Sequence, residues 1–62
     1  AIIHFKKVYL EYPNIFEIVQ SLSLAYLKAG DRENGIKIVE EWNVRFPNDS
    51  KSQEWLKLIK DQ

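Results

Sequence analysis

The feature that most constrains this chain is that it repeats itself. Tyr12-Pro13-Asn14 returns as Phe46-Pro47-Asn48, an offset of 34 residues. Carried along the chain, the same offset sets Ile2 opposite Ile36, Phe5 opposite Val39 and Val8 opposite Trp42. It also sets Leu22 opposite Leu56 and Leu24 opposite Leu58. A period of this size marks stacked supersecondary units, each of which needs a neighbour to cover its apolar face.

Between the two prolines the chain reads as a pair of helices. Asn14 suits an N-cap, with Glu17 three residues on to close a capping box. Ile15, Ile18, Val19, Leu22, Ala25, Tyr26 and Ala29 then recur at helical spacing. Gly30 stops this helix, since glycine readily takes the left-handed conformation after a helix end. Asp31 caps the next helix, which turns Ile36, Val39, Trp42 and Phe46 to one face, with Ile38 beside them, until Pro47 closes it. So short a connector makes the two helices antiparallel neighbours. Residues 1–12 form an earlier helix with Ile2, Phe5, Val8 and Tyr9 apolar. A last one starts near Asp49 or Ser50, where Ser50 and Gln53 offer a second capping box, and carries Trp55, Leu56, Leu58 and Ile59. No segment alternates as a half-buried strand does. The expectation is an all-α chain of four helices over 1–12, 15–29, 32–46 and 50–61.

Composition removes several function classes. The chain has 62 residues, 45% apolar and 29% charged, which suits a globular domain rather than a disordered one. Nine basic residues balance nine acidic ones and are interspersed with them, so neither nucleic-acid binding nor an anionic membrane surface is expected. No apolar run approaches the roughly 18 residues a membrane span needs, so membrane insertion is not expected. There is no cysteine, which excludes disulfides, thiol catalysis and zinc–thiolate sites. His4 is the only histidine; it reads as a helix-surface residue and has no second imidazole to share a metal. Ser21, Ser23, Ser50 and Ser52 have no histidine placed to activate them. Gly30, Gly35 and Lys37 do not make a phosphate loop. No enzyme activity, cofactor or metal is expected.

The 34-residue helix–turn–helix period resembles that of the tetratricopeptide repeat. In the first helix the resemblance lies in Val19, Leu22, Ser23 and Tyr26, and in the second in Gly35, Val39 and Pro47. The turn Ala29-Gly30-Asp31 and the ending Phe46-Pro47-Asn48-Asp49 extend it. Val19 and Val39 stand where the family has rings, and Trp42 where it has alanine. The small Ser23 and Gly35 have a physical reading of their own: two helix backbones approach closely there. A glycine inside a helix costs about 1 kcal/mol against alanine, so it needs such a reason.

The resemblance implies a right-handed α-solenoid of antiparallel helix pairs. Residues 1–14 are then the second helix of a truncated repeat, 15–49 one complete repeat and 50–62 a carboxyl-terminal capping helix. Residue 1 falls opposite Gly35, so a covering helix is expected upstream of Ile2, Phe5 and Tyr9. Gln53, Lys57 and Lys60 replace Val19, Ser23 and Tyr26, so the array is expected to end with the last helix.

By the same resemblance the chain is a protein–protein interaction module whose concave face takes a partner peptide or protein. That face carries Glu17, Gln20, Ser21, Leu24, Leu27 and Lys28 on one helix and Lys51, Glu54, Trp55 and Leu58 on the last. Leu24, Leu27, Trp55 and Leu58 are expected at its apolar centre, although packing against a neighbouring helix is the other reading of Leu24, Leu27 and Trp55. Gln20 and Leu24 occupy the places of the lysine and asparagine with which chaperone-binding members clamp a carboxylate, so no such clamp is expected. The alternative is a scaffold that meets other copies through its helical ends, with the uncovered Ile2, Phe5 and Tyr9 as the contact.

Overall fold

The computed structural model of the chain describes residues 2–61, so Ala1 and its expected place opposite Gly35, and Gln62 at the far end, lie outside the described residues. Among the described residues there are four helices and no strand: α1 (Ile2–Glu11), α2 (Phe16–Lys28), α3 (Arg32–Arg45) and α4 (Ser50–Lys60). Each helix packs on the next, α2 and α3 most extensively. Successive helices run antiparallel. Arg45 at the end of α3 reaches Pro13 ahead of α2, and Arg32 at its start reaches the Lys60 carbonyl at the end of α4.

Local chemistry sets the helix ends. After α2, Gly30 takes φ +82°, and two backbone bonds close the turn. Gly30 N donates to the Leu27 carbonyl at 3.1 Å and Asp31 N to the Tyr26 carbonyl at 2.8 Å. This is the paired-bond glycine stop that satisfies the last carbonyls of a helix. Asp31 caps α3, accepting from Asn34 N at 3.3 Å and from the Asn34 amide at 2.7 Å.

The expected Asn14 cap and the expected Ser50–Gln53 capping box do not form, while Asp49 caps α4 as one of the two expected residues. Ile15, not Asn14, occupies the N-cap of α2, with no side-chain bond to the helix. The Asn14 side chain is taken instead by the Arg45 guanidinium, which also donates to the Pro13 carbonyl at 3.0 Å. At α4 the cap is Asp49, which accepts from Lys51 N at 3.2 Å. Ser50 is already helical, and Gln53 donates to the Pro47 carbonyl at 2.6 Å instead of closing a box.

Phe16, Val19, Val39, Trp42 and Ile59 form the core cluster, with Tyr9, Leu27, Ile36, Ile38, Trp55 and Leu56 packed against it. Val19 and Val39 are both fully buried, at 0% exposure. Trp42 fills the volume beside them, its ring 5.5 Å from Phe16 and 4.6 Å from Phe46. Its Nε1 donates to Asp49 Oδ2 at 2.8 Å, so the residue that caps α4 also satisfies the buried indole.

At Gly35 the backbones of α2 and α3 come into close contact. A Cβ there would lie 3.0 Å from the Ser23 carbonyl oxygen and 3.3 Å from Leu27 Cγ. Gly35→Leu therefore forces the helices apart. Despite about 1 kcal/mol of improved helix propensity, it should lower stability by about 1–3 kcal/mol. Urea denaturation checks this, and an unchanged or raised midpoint would show that the backbones are not in contact.

Candidate functional site

One side of α2 stays open. Glu17, Gln20, Ser21, Leu24 and Lys28 recur three and four residues apart, which puts them on one arc of the helix. The arc runs between two grooves. The one towards α4, about 260 Å³, brings together Phe16, Glu17 and Gln20 with Lys51, Glu54, Trp55 and Leu58. The one towards α1 is larger, about 710 Å³, and more apolar. There α1 contributes Ile2, Ile3 and Phe5, and α2 contributes Ser21, Leu24, Ala25 and Lys28.

The expected partner-binding residues are thus distributed over three surroundings. Glu17, Gln20, Lys51, Glu54, Trp55 and Leu58 share the α2/α4 groove. Leu24 and Lys28 border the α1/α2 groove. Leu27 turns beneath both, half-buried against the core and beside Gly35. Leu24, Leu27, Trp55 and Leu58 consequently line no single groove. The reason is angular: Leu27 lies about 60° around α2 from Leu24, beyond Gln20 at the edge of the arc, which turns it towards the core and Gly35.

Trp55 is not free either. Its ring is half-buried against the core, and its Nε1 donates to Ser23 Oγ at 2.7 Å. Ser23 Oγ in turn donates to the Gln20 carbonyl at 2.8 Å. A fully buried hydroxyl thereby has both roles satisfied, and α4 is pinned to α2 by the bond. Leu56 packs half-buried against the same cluster. Leu58 remains the exposed apolar residue of this groove, at 59%, and in the other Leu24 is 40% and Ile3 84% exposed.

On α1, the three residues expected to be uncovered part company. Ile2 and Phe5 line the α1/α2 groove, while Tyr9 packs half-buried against the core. Ile3, which sequence reasoning did not single out, and Ala25, read there only as part of the apolar stripe of α2, complete the groove wall. A signal for Ile3 was present in the pairing Ile3 and Leu10, seven residues apart and 84% and 78% exposed. For Ala25, nothing in the sequence separates a groove wall from a helix contact.

His4 is exposed, and no group of three or more His, Cys, Asp or Glu among the described residues is placed to hold a metal ion. No helix among the described residues is long and apolar enough to cross a membrane. No protein-family model, curated protein or solved structure matches this chain.

Trp55→Phe keeps most of the ring and removes its donor, so it should cost about 1 kcal/mol of stability. Trp55→Ala, which also strips the half-buried ring from the core, should cost more. Denaturation curves for the two variants check the order. A Trp55→Ala chain as stable as the parent would show the indole to be a free surface group.

Proposed function

We propose that this chain is a non-enzymatic protein–protein interaction module that takes a partner peptide or protein on the open face of α2. The observation that carries the reading is the pair of grooves flanking that face, each with an exposed leucine at its rim. An apolar trough next to a polar one offers burial for anchoring and charges for orientation. Burial supplies most of the affinity in such surfaces, and rim charges such as Glu17, Lys51 and Glu54 supply little each.

The 34-residue repeat and the close-packed α2–α3 pair support a finer reading in which the helices are tetratricopeptide-like. In it, residues 15–49 are a complete repeat, 50–62 the cap, and the α2 face the concave side of a right-handed solenoid. Chemistry at the site does not compete with this reading, because the grooves bring no nucleophile and base together.

A second reading, a scaffold that joins copies through helical ends, is favoured by α1 alone. That helix has no buried residue and leaves Ile3 and Leu10 largely in solvent. Concentration-dependent sedimentation that Ile3→Glu abolishes would select it.

Leu24→Glu and Leu58→Glu change exposed side chains, so each should leave the melting temperature nearly unaltered. Together they should lower the capture of any native partner by about tenfold or more, one order of magnitude being about 1.4 kcal/mol. Quantitative co-purification from the native source, beside thermal melts, checks this. Undiminished capture by the doubly substituted, folded chain overturns the assignment of the face.

A further inference from the structure

Asn34 is followed by Gly35. In such a dipeptide asparagine loses its side-chain amide most readily, because no Cβ shields the glycine nitrogen. Asn14 and Asn43 precede Ile15 and Val44, whose branched side chains crowd the next nitrogen, and Asn48 precedes Asp49. Asn34 is exposed on the first turn of α3, and Gly35 beside it is buried against α2.

In the fold both reacting groups are engaged by one residue. Gly35 N donates to the Asp31 carbonyl at 3.2 Å, closing the first turn of α3. Asn34 Nδ2 donates to Asp31 Oδ2 at 2.7 Å, while Asn34 N donates to Asp31 Oδ1 at 3.3 Å. Loss of the amide requires the Gly35 nitrogen to swing onto Asn34 Cγ, which takes Asn34 out of helical ψ. The bonds from Gly35 N and Asn34 Nδ2 to Asp31 must both break first.

We propose that Asn34 is a deamidation site held shut by the Asp31 cap, and that it converts when the first turn of α3 opens. In the open turn the Gly35 nitrogen gives its proton to solvent and bonds to Asn34 Cγ. The Cγ–Nδ2 bond breaks, ammonia leaves and a cyclic succinimide remains. Water then opens the ring at either carbonyl. Opening at Cγ leaves an ordinary backbone with an aspartate at position 34. Opening at the main-chain carbonyl routes the backbone through the side-chain carbons, as isoaspartate. In sum, an amide and a water become a carboxylate and an ammonium ion.

The location makes the change consequential. Isoaspartate adds a methylene to the main chain directly before Gly35, where the Ser23 carbonyl already leaves no room for a Cβ. The close contact of α2 and α3 cannot re-form around the longer backbone. Ser23 also holds Trp55 of α4, so the loss reaches the α2/α4 groove. Each opening that ends in ring closure removes a chain from the native pool for good, which makes the cap a source of kinetic stability. This inference is independent of the protein-binding reading above.

The full chain, folded or unfolded in guanidinium, is incubated in mildly alkaline buffer. Mass spectrometry follows the tryptic peptide of residues 33–37, with its aspartate and isoaspartate forms separated by chromatography. In guanidinium Asn34 should convert faster than Asn14 and Asn43, and Asn34→Gln should abolish conversion in that peptide. Folding should slow Asn34 by about tenfold or more, since only opened chains react. Asp31→Ala should raise the folded-state rate about fivefold, the weight of an N-cap in the opening equilibrium. Trp55→Phe, which weakens the fold elsewhere and keeps the cap, should leave that rate unchanged. The isolated isoaspartyl chain should melt below the parent, whereas Asn34→Asp, with its ordinary backbone, should melt closer to it. Absence of conversion in guanidinium overturns the site. Equal rates folded and unfolded, an unchanged rate in Asp31→Ala, or an equal rise in Trp55→Phe overturns the cap as its gate. An isoaspartyl chain that melts with the parent overturns the stated consequence.

Discussion

The rest of the structure depends on how closely α2 and α3 approach. Gly35 has no Cβ, and the Ser23 carbonyl and Leu27 side chain occupy the space one would need. That separation buries Ser23 completely, which is tolerable only because its hydroxyl both donates to the Gln20 carbonyl and accepts from Trp55. The bond from Trp55 comes from α4. The placement of α4, and with it the shape of the α2/α4 groove, is therefore set through the α2–α3 contact.

Polar groups hold the loops more than ion pairs hold the helices. Asp49 accepts from Lys51 N and from the part-buried Trp42 indole, a charge-assisted bond of a kind that contributes about 1.5–3 kcal/mol. Ser52, fully buried, donates towards Asn43 at 2.6 Å and towards the Asp49 carbonyl at 3.0 Å, tying α4 to α3. By contrast, the Lys60–Glu40 pair at 3.4 Å has both side chains about half exposed, and such pairs contribute about 0–1 kcal/mol. Arg45 does more through packing and geometry. Its guanidinium lies over Trp42 and Phe46 while it holds Pro13 and Asn14, so the end of α3 orders the chain entering α2.

Burial is uneven in a way that bears on binding. The core is built by α2, α3 and α4, whereas α1 contributes no buried residue and rests chiefly on α2. Segments with few buried contacts open most readily, and a ligand that binds only the closed arrangement stabilises it by mass action. Occupation of the α1/α2 groove would thus order α1 as it buries Ile2 and Phe5. A ligand on this face would then be coupled to the stability of the first helix.

The number, type and approximate limits of the helices were legible in the sequence, because they depend on short-range chemistry. Apolar spacing, Gly30 and Asp31 act over a few residues, and each helix ends within a residue of its expected limit at its described ends. Ser23 and Gly35 were legible as a close approach, since a serine and a glycine on facing helices have few other uses. Partner choice among polar groups was not legible. Asn14 and Gln53 have good local capping chemistry, yet Arg45 and the Pro47 carbonyl outcompete it, one from far along the chain and one from across a turn. The site divided along the same line. The sequence by itself determined which residues of α2 share an arc, because helical periodicity needs no neighbour. Only the tertiary structure decided that Leu27 turns to the core, that Trp55 is held by Ser23, and that Leu24 and Lys28 join Ile2 and Phe5 in one groove. Those outcomes depend on how far one helix is rotated against the next, and that rotation is set by side-chain volumes meeting across distant parts of the chain.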